Sequence, residues 1–108
     1  MMEGLWIVQY EGIQGRGGGV AVFVNGKVLG GDTGYTYEGT YNVQGNAFTA
    51  RVHVSNFLPS VPNVLGLQGD FDLQIQAPVS DTVIQGAMSV LGRPGLGIAV
   101  RLTRKAGL

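Results

Sequence analysis

The sequence predicts an all-β fold, an eight-stranded antiparallel up-and-down β-barrel formed by residues 1–108 as one domain. Three observations predict it. Apolar residues recur with a period of two along most of the chain, the mark of strands with one buried face. Short turns rich in glycine, proline and asparagine separate these stretches, which favours hairpins over crossover connections. No stretch carries the 3.6-residue periodicity of an amphipathic helix three turns long. An eight-stranded meander can close on itself and so remove its exposed edges.

The strands are expected at about 4–12, 17–24, 27–31, 35–43, 46–55, 70–77, 82–91 and 96–104. The first opens on the apolar run Leu5-Trp6-Ile7-Val8, where Trp6 is expected to be a core anchor. In the second, Val20, Val22 and Val24 alternate with Ala21 and Phe23, so both faces are expected to be largely buried. Asn25-Gly26 then separates Val24 from Lys27-Val28, the strongest short hairpin signal, because a type I′ turn needs positive φ at both central positions. Gln44-Gly45-Asn46 divides the fourth strand from the fifth. The fifth alternates Phe48, Ala50, Val52 and Val54 with Thr49, Arg51 and His53. The sixth alternates Phe71, Leu73 and Ile75 with Asp72, Gln74 and Gln76, and the eighth Ile98, Val100 and Leu102 with Ala99, Arg101 and Thr103. Residues 78–81 and Gly92-Arg93-Pro94-Gly95 close the later hairpins. Glycines inside strands, Gly39 above all, fit the sharp bends of a small barrel. One connection is long, from Ser55 to Gly69, and loops of that length are often functional.

Composition limits the functional classes. Only 13% of residues are charged, and nineteen of 108 are glycine, so little electrostatic repulsion opposes self-association. A homodimer is expected. Seven basic and seven acidic residues cancel. A nucleic-acid binder draws its affinity from a basic surface, so direct nucleic-acid binding is not expected. Arg93, Arg101, Arg104 and Lys105 follow the last acid, Asp81, and read as solvated residues. The absence of cysteine excludes disulfides, thiolate metal sites and cysteine nucleophiles. No signal-peptide pattern opens the sequence and no apolar run reaches the ~20 residues of a membrane helix. The expected address is cytoplasmic, without membrane association.

No catalytic, metal or cofactor constellation emerges, and the chain is not expected to be an enzyme. The glycine run Gly15-Arg16-Gly17-Gly18-Gly19 lacks the helix that a phosphate cradle needs and reads as a flexible hairpin turn. His53 is the sole histidine, and its strand neighbours Thr49 and Arg51 offer it neither a metal partner nor an orienting acid. Asp70 and Asp72 share a strand face and read as a solvated edge. Tyr35, Tyr37 and Tyr41 share one parity, with Gly39 between them. Such a stripe either packs the barrel or lines a cavity, since eight strands enclose room for side chains or for one small ligand.

Gly30-Gly31-Asp32, Tyr37-x-Gly39, Val52-His53, Asn56-Phe57, Pro59-Ser60-Val61 and Leu65 occur in an order that resembles the GrlR family. These are small bacterial regulatory proteins, negative regulators of type III secretion genes. Gly4-Leu5-Trp6-Ile7-Val8 and Asp70-Phe71-x-Leu73-x-Ile75 fit the same register, so the likeness covers roughly residues 4–76. The resemblance implies a lipocalin-like barrel that dimerises and acts by binding a protein partner, a transcriptional activator, and not DNA. The family's founding regulators carry an acidic run on the turn after Tyr-x-Gly. Here that stretch reads Tyr41-Asn42-Val43-Gln44-Gly45-Asn46, without an acid, and it is the candidate partner-binding turn.

Two functions are therefore expected as alternatives. One is a regulatory protein-interaction module whose outer face or long loop holds a partner. The other is a carrier of a small apolar, fatty-acyl-like ligand, with Tyr35, Tyr37 and Tyr41 lining the barrel interior. A carrier needs an unfilled cavity, whereas an interaction module can be packed solid.

Overall fold

Inward apolar side chains give each strand one face to bury, and the chain satisfies all eight at once by curling; the second strand, expected to bury both faces, leaves Val20 47% exposed and Val22 and Val24 half-buried. A computed structural model describes residues 2–12, 15–62, 65–67, 69–93 and 95–108. Its strands are β1 (Gly4–Gly12), β2 (Gly15–Val24), β3 (Lys27–Gly31), β4 (Tyr35–Gln44), β5 (Ala47–Asn56), β6 (Phe71–Pro78), β7 (Val83–Val90) and β8 (Gly97–Gly107). Every neighbour pair is antiparallel, and β8 returns to pair with β1, closing the barrel. Among the described residues there is no helix.

The turns follow their residues. Asn25 has φ of 49° and Gly26 of 77°, the paired positive values of the expected turn. Gly45 likewise has φ of 61°. Pro94 of the expected last turn lies outside the described residues. One connection departs from expectation. The strand expected from residue 17 begins at Gly15, so the run Gly15–Gly19 is not a flexible turn but the first half of β2, paired in register with β1 from Gly12↔Gly15 to Val8↔Gly19. Four of its five residues are glycine, and the space that side chains would take at Gly17 and Gly19 is held by Tyr10 and Tyr37.

The interior is graded along the barrel axis. At the end where β1 starts and β2 finishes, Trp6, Phe23 and Phe48 are essentially inaccessible. Their rings stack, with centroids 5.7 Å apart from Trp6 to Phe23 and 5.7 Å from Phe23 to Phe48. The Trp6 indole N–H donates to the Met2 carbonyl at 2.8 Å, so the buried polar atom of the indole is satisfied. At that end Arg104, half-buried, donates to the Glu3 carbonyl at 2.6 Å, and β8 carries an extra residue opposite Leu5 and Trp6. Sharp coiling brings strand backbones unusually close at a few inward positions. A Cβ on Gly39 would lie 1.9 Å from the Arg51 carbonyl oxygen, so only glycine fits there.

Candidate functional site: the open end of the barrel

The opposite end is not plugged by aromatic rings. Val8, Ala21, Val28, Ala50, Val52 and Val54 point inward, as do Leu73, Ile75, Met88, Ile98 and Val100. The first set is dominated by small and β-branched residues, which cannot reach across a barrel of this width. A cavity of about 280 Å³ remains, walled almost entirely by apolar side chains. The long connection after β5 folds over this end: Leu65 is buried, Val61 and Pro62 join the lining, and the Tyr35 hydroxyl donates to the Val61 carbonyl at 3.0 Å. Phe57 and Leu58 of the same connection face solvent.

A polar cluster sits at the mouth. Asp32 follows β3, and its Oδ1 accepts the backbone N–H groups of Gly34 at 3.0 Å and Tyr35 at 2.9 Å, which fixes the carboxylate in a tight turn. Its Oδ2 accepts two phenols. Tyr10 donates to it at 2.6 Å, and Tyr37 donates to the same oxygen. The two phenol oxygens are 3.5 Å apart. Burial, reinforced by the hydrogen bond to Asp32, pushes the Tyr10 phenol up to about 12. The same causes push the Tyr37 phenol well above the ordinary tyrosine range. Both groups stay neutral and stay donors.

Glycine makes this cluster possible. A Cβ on Gly17 would lie 2.5 Å from the Tyr10 ring, and one on Gly19 would lie 2.9 Å from the Tyr37 hydroxyl. The run that reads as a turn in the sequence is thus the wall against which two tyrosines are laid. Arg16 stands beside it at the rim, paired with Glu11 at 2.9 Å, with both side chains largely exposed.

Tyr35 and Tyr37 belong to the cavity lining, as their parity implies. Tyr41 does not. It stacks on Phe23 with centroids 5.1 Å apart, in the plug at the closed end. Six residues at ~3.3 Å each separate Tyr35 from Tyr41 along β4, so shared parity gives a shared side but not a shared depth. The remaining members of the candidate partner-binding turn, Asn42, Val43, Gln44, Gly45 and Asn46, lie at the closed end as well. Asn42, Gln44, Gly45 and Asn46 are exposed, Val43 is half-buried against the core, and the Asn46 carbonyl accepts the Val79 N–H at 2.8 Å.

His53 is better partnered than its own strand suggests. Register places it opposite Asp72, and its Nδ1 is 2.7 Å from an Asp72 carboxylate oxygen, with Asp70 3.5 Å from Nε2. The Asp72 hydrogen bond raises the His53 pKa. The backbone N–H of Asn56, with Ser55 and His53 behind it, lowers that of Asp70. The trio lies on the outer, solvated face, away from the cavity, and no metal-binding group of three such ligands occurs among the described residues. Among those residues, too, no helix is long and apolar enough to cross a membrane.

No known family model matches the chain, and no curated protein matches it.

Proposed function

We propose that this protein is a non-enzymatic binding protein that holds a small apolar ligand inside its barrel. The single observation that carries the reading is the unfilled apolar cavity of about 280 Å³ at the open end. Protein interiors are normally packed to the density of organic crystals, and a void of this size forfeits contacts that a few larger side chains would supply. Ala21 and Ala50 stand where such side chains would go. Apolar concavity with a few convergent polar groups is the usual form of a ligand site. Asp32, its four hydrogen-bonding positions occupied, orients and does not attack. Calorimetric titration with octan-1-ol, a molecule of the cavity's size, tests the reading: wild-type protein binds it, and Ala50→Phe, whose ring occupies part of the cavity, loses it. Binding unchanged in that variant would place the site elsewhere and contradict the reading.

A second reading has its own support. Ile7 and Val20, directly paired across β1 and β2, are 38% and 47% exposed, and Leu29 on β3 is 47% exposed. This outward apolar stripe suits contact with another protein or a second copy of the chain. It agrees with the GrlR-like reading of a cytoplasmic bacterial regulator that dimerises on a lipocalin-like barrel and binds a transcriptional activator. Sedimentation at micromolar concentration is expected to give twice the 11.3 kDa chain mass, falling to the monomer in Val20→Glu. A monomeric wild type would remove the dimer.

A further inference from the structure

We infer that the cavity selects an apolar molecule with a hydrogen-bond-donating head, a primary alkylammonium in preference to an alcohol, and that it rejects the corresponding carboxylate. The inference rests on the proposed binding function and names the ligand class for that same cavity.

The protons of the polar cluster at the mouth all point at one carboxylate. A phenol has one proton and two lone pairs; an ionised carboxylate has about four acceptor positions and no proton. Tyr10 and Tyr37 both spend their proton on Asp32 Oδ2, while Gly34 and Tyr35 spend their N–H groups on Oδ1. The carboxylate is saturated, and neither phenol proton is left for a ligand. What Tyr10 and Tyr37 still offer is lone pairs, on oxygens made more basic by donating to an anion. A head group that settles there must bring protons.

Charge sets the order among donors. Asp32 has no cationic partner among the described residues. Among the described residues the one cation in the lining, Arg16, is bound through Nε to Glu11 in solvent, which leaves little positive field at the mouth. The net sign facing an occupant of the apolar chamber is therefore negative. An ammonium is attracted by that charge and by the faces of the lining tyrosines. An alcohol donates one proton without charge. A carboxylate brings only acceptors and a like charge, a juxtaposition that costs affinity strongly when desolvated. Size is set by the cavity: about 280 Å³ holds roughly nine heavy atoms at ~30 Å³ each, the size of octylammonium, octan-1-ol or octanoate.

Calorimetric titration of the wild-type protein with these three molecules at neutral pH tests the inference, with Asp32→Asn and Tyr37→Phe as variants. Octylammonium is expected to bind tightest and octanoate weakest, with a ratio on the order of tenfold or more. In Asp32→Asn the amide oxygen still takes the Gly34 and Tyr35 N–H groups, while the new NH₂ faces the phenol oxygens and turns their protons toward the cavity. The ammonium-to-carboxylate ratio is then expected to fall by about tenfold or invert. Tyr37→Phe, which removes one acceptor, is expected to weaken octylammonium and leave octan-1-ol within about threefold; it decides the matter if Asp32→Asn fails to fold by circular dichroism. Equal binding of all three molecules, or a ranking unchanged in Asp32→Asn, overturns the inference and leaves the cavity as a ligand site. Binding by none of the three overturns the proposed function with it.

Discussion

Single residues at two places bear most of the constraint. Gly39 is one. With the Arg51 carbonyl oxygen 1.9 Å from where a Cβ would stand, any side chain must push β4 away from β5. Gly39→Val is expected to cost at least about 2 kcal/mol, in the range of overpacking and backbone strain, as read from denaturant midpoints. A wild-type-like midpoint would mean that the strands separate there at little cost. The Tyr10–Asp32–Tyr37 cluster is the other. Its phenols are raised above their unfolded values, so the stability they contribute is fully present below the ordinary tyrosine pKa and is lost as pH rises through their folded values, about 12 for Tyr10. Absorbance at 295 nm should show the native protein ionising fewer than its four tyrosines near pH 10–11, with the remainder released as it unfolds in stronger alkali. Full ionisation of all four in a protein still folded by circular dichroism would contradict the buried cluster.

Among the elements, the strands were the most legible part of the sequence. Alternation located the second, fifth, sixth and eighth strands, the apolar run Leu5–Val8 located the first, and Asn25-Gly26 announced its own turn. β2 was the exception at one end: Gly15–Gly19 carries no alternation because it has almost no side chains, and its strand character comes from Tyr10 and Tyr37, which occupy the space above it. That requirement is long-range and leaves no local signal beyond the glycines themselves. His53 shows the same limit. Its partners Asp70 and Asp72 are on β6 or just before it, and only the register between β5 and β6 brings them within reach. Within the plug, Trp6 was legible as an anchor from the run around it, although its stacking on Phe23 was not. Trp6→Ala is expected to cost roughly 3–5 kcal/mol, and the native emission is expected to be blue-shifted, since the indole is inaccessible. A red-shifted native spectrum would place the ring in water.

On the scale of the whole molecule, closure of the barrel creates a division that no strand possesses alone. One end is plugged by stacked aromatic rings, and the other is a chamber of small apolar side chains under the connection after β5. Parity put Tyr35, Tyr37 and Tyr41 on the same side of β4, but depth along the axis assigns the first two to the chamber and the third to the plug. Whether the interior is filled depends on how eight strands tilt and how far each side chain reaches, and alternation alone carries neither quantity. The central claim is that the chamber is occupied by a ligand in the working protein. Nuclear Overhauser contacts between a bound eight-carbon alkyl chain and the protein's methyl groups test it most directly. Contacts are expected to Val52, Leu73, Met88 and Val100, inside the barrel. Contacts confined to Ile7, Val20 and Leu29, on the outer face, would contradict it.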